Sequence, residues 1–129
     1  MTDQELFALA DEARKSAYAP YSHYTVGAAL VAASGKVYTG INIENASFGA
    51  TNCAERTAVF SAVAAGERDF VAIAVAGGRA GETAGNCTPC GICRQVLSEF
   101  CHPDCKVILK SGTVTLGELL PMSFTEENL

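Results

Sequence analysis

Apolar and polar positions along the chain change period several times, and each change marks an element. Leu6, Ala10, Ala13 and Ala17 recur at helical spacing behind the capping-box pair Thr2 and Glu5, which predicts a first helix ended by Pro20. Two apolar, β-branched stretches, Thr25 to Ala33 and Lys36 to Ile41, meet at Ser34-Gly35 and predict a β-hairpin; Asn42 to Thr51 reads as a loop. A second helix is predicted from Cys53 to about Ala65, with Asn52 as its cap and Gly66 as its stop. The continuous run FVAIAVA, Phe70 to Ala76, predicts a strand buried on both faces, followed by a Gly-rich loop from Gly77 to Cys87. Thr88 as cap and Pro89 at the first helical position predict a third helix reaching Phe100. Cys105 to Lys110 reads as a strand and Thr115 to Leu120 as a short helix. Strands alternating with helices predict an α/β sandwich, with helices on both faces of a mixed sheet whose first pair is antiparallel.

A length of 129 residues suits one domain, residues 1–129, and no repeat, low-complexity tract or linker interrupts it. With 49% apolar and 18% charged residues the chain has a globular balance, and its net charge of -5 lacks the basic face that a polynucleotide requires. No apolar run approaches the ~20 residues that cross a bilayer. The acidic start, Met1 to Leu6, has no signal-peptide pattern, so the cytoplasm is the expected address. In that setting the six cysteines read as metal or catalytic groups rather than as a disulfide framework.

Cys90 and Cys93 form a C-x-x-C at the start of the third helix, with both sulfurs on one face. Cys53 stands at the start of the second helix, where backbone N–H groups and the helix dipole favour a thiolate. Two helix starts facing each other would present three thiolates to one zinc ion. Three protein ligands leave the fourth tetrahedral position to water and make an open, catalytic site; four close it and make it structural. Cys87, which extends the motif to C-x-x-C-x-x-C, is the candidate fourth ligand. An iron-sulfur cluster would need a further cysteine where Leu97 stands. Glu55 has two readings, a capping-box partner of Asn52 or a carboxylate that trades protons beside an open zinc. Arg56, one turn after Cys53, either donates to the thiolates or forms a surface ion pair. Cys101 and Cys105, flanking a turn with His102, read as buried or half-buried free thiols.

The pairing of Cys53-Ala54-Glu55 with Pro89-Cys90-Gly91-Ile92-Cys93 matches the zinc-deaminase signature in its three-cysteine form. YAPYS at Tyr18 to Ser22, VGAAL at Val26 to Leu30, NIENAS at Asn42 to Ser47, NCAERTAVF at Asn52 to Phe60, CRQVL at Cys93 to Leu97 and LLPMSF at Leu119 to Phe124 extend the likeness. Nearly end to end, the chain resembles the small homotetrameric cytidine deaminases. The resemblance implies a three-layer αβα sandwich on a mixed sheet of roughly five strands, and one Zn2+ per subunit. It implies hydrolysis of cytidine and deoxycytidine to uridine and deoxyuridine plus ammonia, as in pyrimidine salvage, by a zinc-bound hydroxide with Glu55 as proton shuttle. It further implies that Asn42 and Glu44 bond the ribose and that the backbone near Ala54 and Cys90 meets the pyrimidine amide edge. Tyr24 would lie near the base, and Phe124 would reach a neighbouring subunit's site. Tyr24 stands where the family more often has Phe, Phe48 where Tyr is common, and Cys87 is an addition. An aminonucleoside-antibiotic deaminase of the blasticidin S type shares the metal motif, a polynucleotide-editing deaminase conflicts with the acidic balance, and a structural zinc module would have no need of Glu55.

Overall fold

The computed structural model describes residues 1–129. Its five strands are β1 (Tyr24–Ala32), β2 (Val37–Ile41), β3 (Phe70–Arg79), β4 (Cys101–Leu109) and β5 (Gly112–Thr115), in one sheet of order β2-β1-β3-β4-β5. β3 and β4 run parallel, joined through a crossover helix, and the other neighbours are antiparallel. Side chains alternate across β3 from Ala72 onward, beyond an irregularity that follows Phe70. Phe70, Ile73 and Val75 face one core with α2 (Ala54–Ala64) and α3 (Gly91–Phe100), while Ala72, Ala74 and Ala76 face α1 (Asp3–Ala13) on the other side. This is the αβα sandwich expected of a strand buried on both faces.

Departures from the sequence reading trace largely to contacts between segments distant in the chain. Helix α1 begins as predicted, with Thr2 Oγ accepting the Glu5 amide at 3.1 Å, but gives way to a 3-10 turn at Arg14–Ser16 well before Pro20. There the buried Arg14 guanidinium donates to Asp11, Thr25 and the Arg79 and Glu82 carbonyls, anchoring that turn to the sheet. β3 runs on through Gly77 and Gly78 to Arg79, paired with Val26, Thr25 and Tyr24, where a loop was predicted. β4 begins at Cys101 rather than Cys105. Its register against β3 slips between Phe70↔Cys101 and Ala72↔Lys106, so the two thiols flank an irregularity inside a strand, Cys105 buried and Cys101 half-buried. The short β5 escaped the sequence reading altogether. It leads straight into α4 (Leu116–Leu119), which a reciprocal Thr115–Glu118 capping box starts.

What places the site is the seating of α2. A Cβ on Gly40 of β2 would stand 2.4 Å from both the Ala54 carbonyl oxygen and the Ala58 amide nitrogen, so only glycine lets the start of α2 lie directly on the sheet. The helix stops at Gly66, whose φ of +100° belongs to the left-handed region.

Candidate active site

Both helices that frame the site start on cysteine. Cys53, in extended conformation, is the N-cap of α2, and Cys90 is the N-cap of α3; the sequence had suggested Asn52 and Thr88. Asn52 is held elsewhere, its backbone bridged to Ile43 and its amide donating to Thr57 Oγ1 at 3.0 Å. Pro89 stays outside α3 because Cys90 is extended and its carbonyl takes the first helical bond, from the Arg94 amide, while the Pro89 carbonyl accepts Arg94 Nε at 2.7 Å. Ser, Thr, Asp and Asn are the residues that usually cap helices. Thiols at both caps therefore mark positions that serve something besides the helix.

The sulfurs of Cys53, Cys90 and Cys93 lie within 4.8 Å of one another, and those of Cys53 and Cys90 are 3.7 Å apart. Tetrahedral zinc with Zn–S near 2.3 Å sets its sulfurs about 3.8 Å apart, which the Cys53–Cys90 pair matches, with the third sulfur close enough to join them. Cys90 Sγ accepts the Cys93 amide at 3.5 Å, and Arg56 Nη2 donates to Cys53 Sγ at 3.3 Å. The Arg56 Nε–H is buried without an acceptor. Hydrogen bonding from Cys93, with Arg56 beside it, pulls the Cys53 thiol down to about 5, while the same Cys53 bond pushes the buried Cys93 thiol up. Cys87 is outside this set. It packs over Gly77, where a Cβ would stand 2.7 Å from its sulfur and 3.1 Å from Tyr24 Cε1. The thiols thus form an open set of three rather than a closed set of four.

Glu55 occupies the second position of α2, one short of the position a capping box uses, and is only 3% exposed. Burial raises its carboxyl to about 7. A buried acid with that value exchanges protons at neutral pH. With Cys53, Cys90, Asn42, Thr51 and Cys87 it lines a cavity of about 220 Å³.

Thr51 also lines a neighbouring cavity of about 340 Å³, shared with Glu44, Ser22, Tyr21 and Phe48. Glu44 accepts the amides of Tyr21 (3.0 Å) and Ser22 (3.1 Å) and the Ser22 hydroxyl, and these bonds, the hydroxyl's first, hold its carboxyl below the usual range. Asn42 clamps β1: its Oδ1 accepts the Val26 amide at 2.8 Å and its Nδ2 donates to the Tyr24 carbonyl at 2.9 Å. Each of its amide atoms retains capacity for one more bond. Ala54, at the first position of α2, lines the cavity next to Glu55. Phe124 is more than half exposed beside Ser98 and Glu99, its carbonyl accepting Gln95 Nε2 at 3.0 Å, and it lines neither of these cavities. Thr51 and Ser22 escaped the sequence reading, since no spacing ties Ser22 to a carboxylate 22 positions away. No helix is long and apolar enough to cross a membrane.

Residues 1–109 match the family model described as the cytidine and deoxycytidylate deaminase zinc-binding region. The chain is 49% identical to the cytidine deaminase of Halalkalibacterium halodurans over 134 residues, covering 100% of this chain and 98% of that protein. It is 46% identical to the cytidine deaminase of Sporosarcina psychrophila, covering 100% of this chain and 96% of that one. It is similar to the crystal structure of cytidine deaminase from Burkholderia pseudomallei, with a TM-score of 0.86 and 51% identity over 96% of this chain and 100% of that chain.

Proposed function

This chain belongs to the cytidine and deoxycytidylate deaminase family and is a zinc-dependent hydrolase that deaminates a cytidine-like substrate, and we propose that it acts on cytidine and deoxycytidine through Glu55. The observation that carries this reading is a buried carboxyl raised to about 7 beside an open set of three thiols. Cys53, Cys90 and Cys93 are the residues that hold one zinc ion per subunit. Bound there, zinc supplies the Lewis acidity that makes water nucleophilic near neutral pH.

The chain's own groups do the rest. Glu55 takes a proton from the attacking water and delivers it to N3 of the pyrimidine as oxygen adds at C4. It then carries the proton of the new C4 hydroxyl to the amino nitrogen, so that the C4 carbonyl forms as the C4–N bond breaks and ammonia leaves, giving uridine or deoxyuridine. The backbone at Ala54 meets the amide edge of the base, and Arg56 offsets the charge of the thiolates. Asn42 and Glu44 bond the sugar, supported by the way Thr51 joins their two cavities. Tyr24, which lies with Cys87 over Gly77 and does not itself line the cavity, backs the wall at the base end. Phe124, remote from the cavity of its own chain, serves the site of a neighbouring subunit in a homotetramer. Thiol ligands are kept reduced in the cytoplasm, the compartment this reading favours.

Ultraviolet absorbance tests the reading directly, with cytidine, deoxycytidine, free cytosine and blasticidin S offered to zinc-loaded protein. Both nucleosides are converted, and cytosine and blasticidin S are poor substrates. No loss of cytidine would overturn the proposal, and turnover of cytosine as fast as cytidine would remove Asn42 and Glu44 from it. Light scattering gives a tetramer; a fully active monomer would remove Phe124.

A further inference from the structure

One thiol of the site has no task in this chemistry. We propose that Cys87 is a specificity-determining residue, its sulfur forming the wall against the apolar C5–C6 edge of the pyrimidine and setting how large a C5 substituent the site admits. The inference rests on the functional reading above.

The placement follows from what the other walls do. Cys87 lines the same cavity as Glu55, Cys53 and Cys90, so it lies within reach of the ring that reacts there. With Glu55 at N3, Ala54 at the amide edge, and Asn42 and Thr51 toward the sugar, the lining side chains left to meet C5 and C6 are Val26, Cys87 and Thr88, and of these Thr88 alone carries a hydroxyl. Val26 belongs to β1, its backbone amide donating to Asn42 Oδ1 at 2.8 Å, so it shares a wall with the residue assigned to the sugar. Cys87 comes instead from the segment between β3 and α3.

That segment is built to hold the sulfur still. The Gly85 amide donates to the Gly77 carbonyl at 2.9 Å, and the bare Gly77 below leaves the recess that the thiol fills. The Tyr24 ring closes the recess from the side. A cysteine ends at one sulfur, whereas valine or isoleucine would carry a branch into the cavity. The same position therefore decides between room for a methyl group on the ring and none.

The test compares kcat/KM for cytidine, 5-methylcytidine and 5-iodocytidine in zinc-loaded wild type, Cys87→Ile and Cys87→Ala. A hydrophobic pocket discriminates one methylene by about 10- to 200-fold. Cys87→Ile should lower the ratio of 5-methylcytidine to cytidine by about tenfold or more, and Cys87→Ala should raise the ratio of 5-iodocytidine to cytidine several-fold. Ratios in both variants within about twofold of wild type, well below the effect of one methylene, would overturn the inference. If the isoleucine variant fails to fold, the alanine ratio decides alone. Flat ratios with good wild-type turnover of cytidine sink this inference only; absence of wild-type turnover sinks the functional reading and this one with it.

Discussion

The sulfurs of Cys53 and Cys90 stand 3.7 Å apart although the residues are 37 positions apart in the chain, and each caps its own helix. Neither helix alone offers a metal more than Cys53, or the Cys90 and Cys93 pair. The fit for zinc arises where the two helix starts meet, and the same amide groups that favour a capping oxygen favour a thiolate there.

Cys53→Ala, Cys90→Ala and Cys93→Ala should each lose the metal, whereas Cys87→Ala should retain one zinc per subunit. Metal analysis of the purified variants checks this. Zinc lost on replacing Cys87 would mean a closed site of four thiolates, against the separation seen here.

Glu55→Gln should lower kcat by about 10²- to 10⁴-fold, the usual worth of general acid-base catalysis, with zinc content and thermal stability nearly unchanged. The helix-capping reading makes the opposite forecast, but Glu55 sits at the second rather than the third helical position and is buried. Retention of more than about a tenth of wild-type kcat would refute the shuttle role.

The chelated protein should show a pH-dependent cost of burying Glu55. Its carboxyl rises from 4.5 to about 7 on folding, so the folded state keeps a proton that the unfolded chain releases. The contribution is fully present below 4.5 and is lost as pH rises through about 7. Chelated Glu55→Gln, neutral throughout, should match wild type at low pH and exceed it above pH 7 by about 3 kcal/mol at most. Urea titrations of both proteins at several pH values measure the gap; a gap that does not vary with pH would contradict the raised value.

Asn42→Ala should affect both stability and substrate binding. It strips partners from the Val26 amide and the Tyr24 carbonyl, at a cost of about 1–3 kcal/mol in denaturation, and raises KM for cytidine. Asn42→Asp keeps an acceptor for Val26 but sets a carboxylate against the Tyr24 carbonyl, so it should also be less stable than wild type. Denaturation curves for Asn42→Ala that overlay wild type would show that the clamp contributes nothing.

The layers of the sandwich and the thiol pattern were legible in the sequence because both are local. FVAIAVA declares a doubly buried strand, and a C-x-x-C puts two sulfurs on one helix face without reference to anything distant. What stayed hidden depends on contacts between remote segments. Gly77 and Gly78 look like loop residues until Tyr24 to Val26 pair with them, and Asn52 looks like a cap until Ile43 and Thr57 claim it. Asn42 and Glu44 read as loop polars, and the structure shows one clamping a strand and the other gathering the Tyr21 and Ser22 amides. Val114 and its flanking threonines were too short a run to declare β5.

The split of the ligand set between two helices also imposes an order of events during synthesis. At about 5–20 residues per second, the 37 positions from Cys53 to Cys90 take a ribosome roughly two to seven seconds to cover. Through that interval Cys53 has no second ligand sulfur, and even afterwards the thiols stand as seen here only once β3 has paired with β1 and α3 lies on the face that holds α2. A fit for the metal therefore waits on the packing of β1, β3 and the two helices that carry the thiols. An ion that binds only the completed arrangement holds it by mass action and gives little shelter to chains stalled before it.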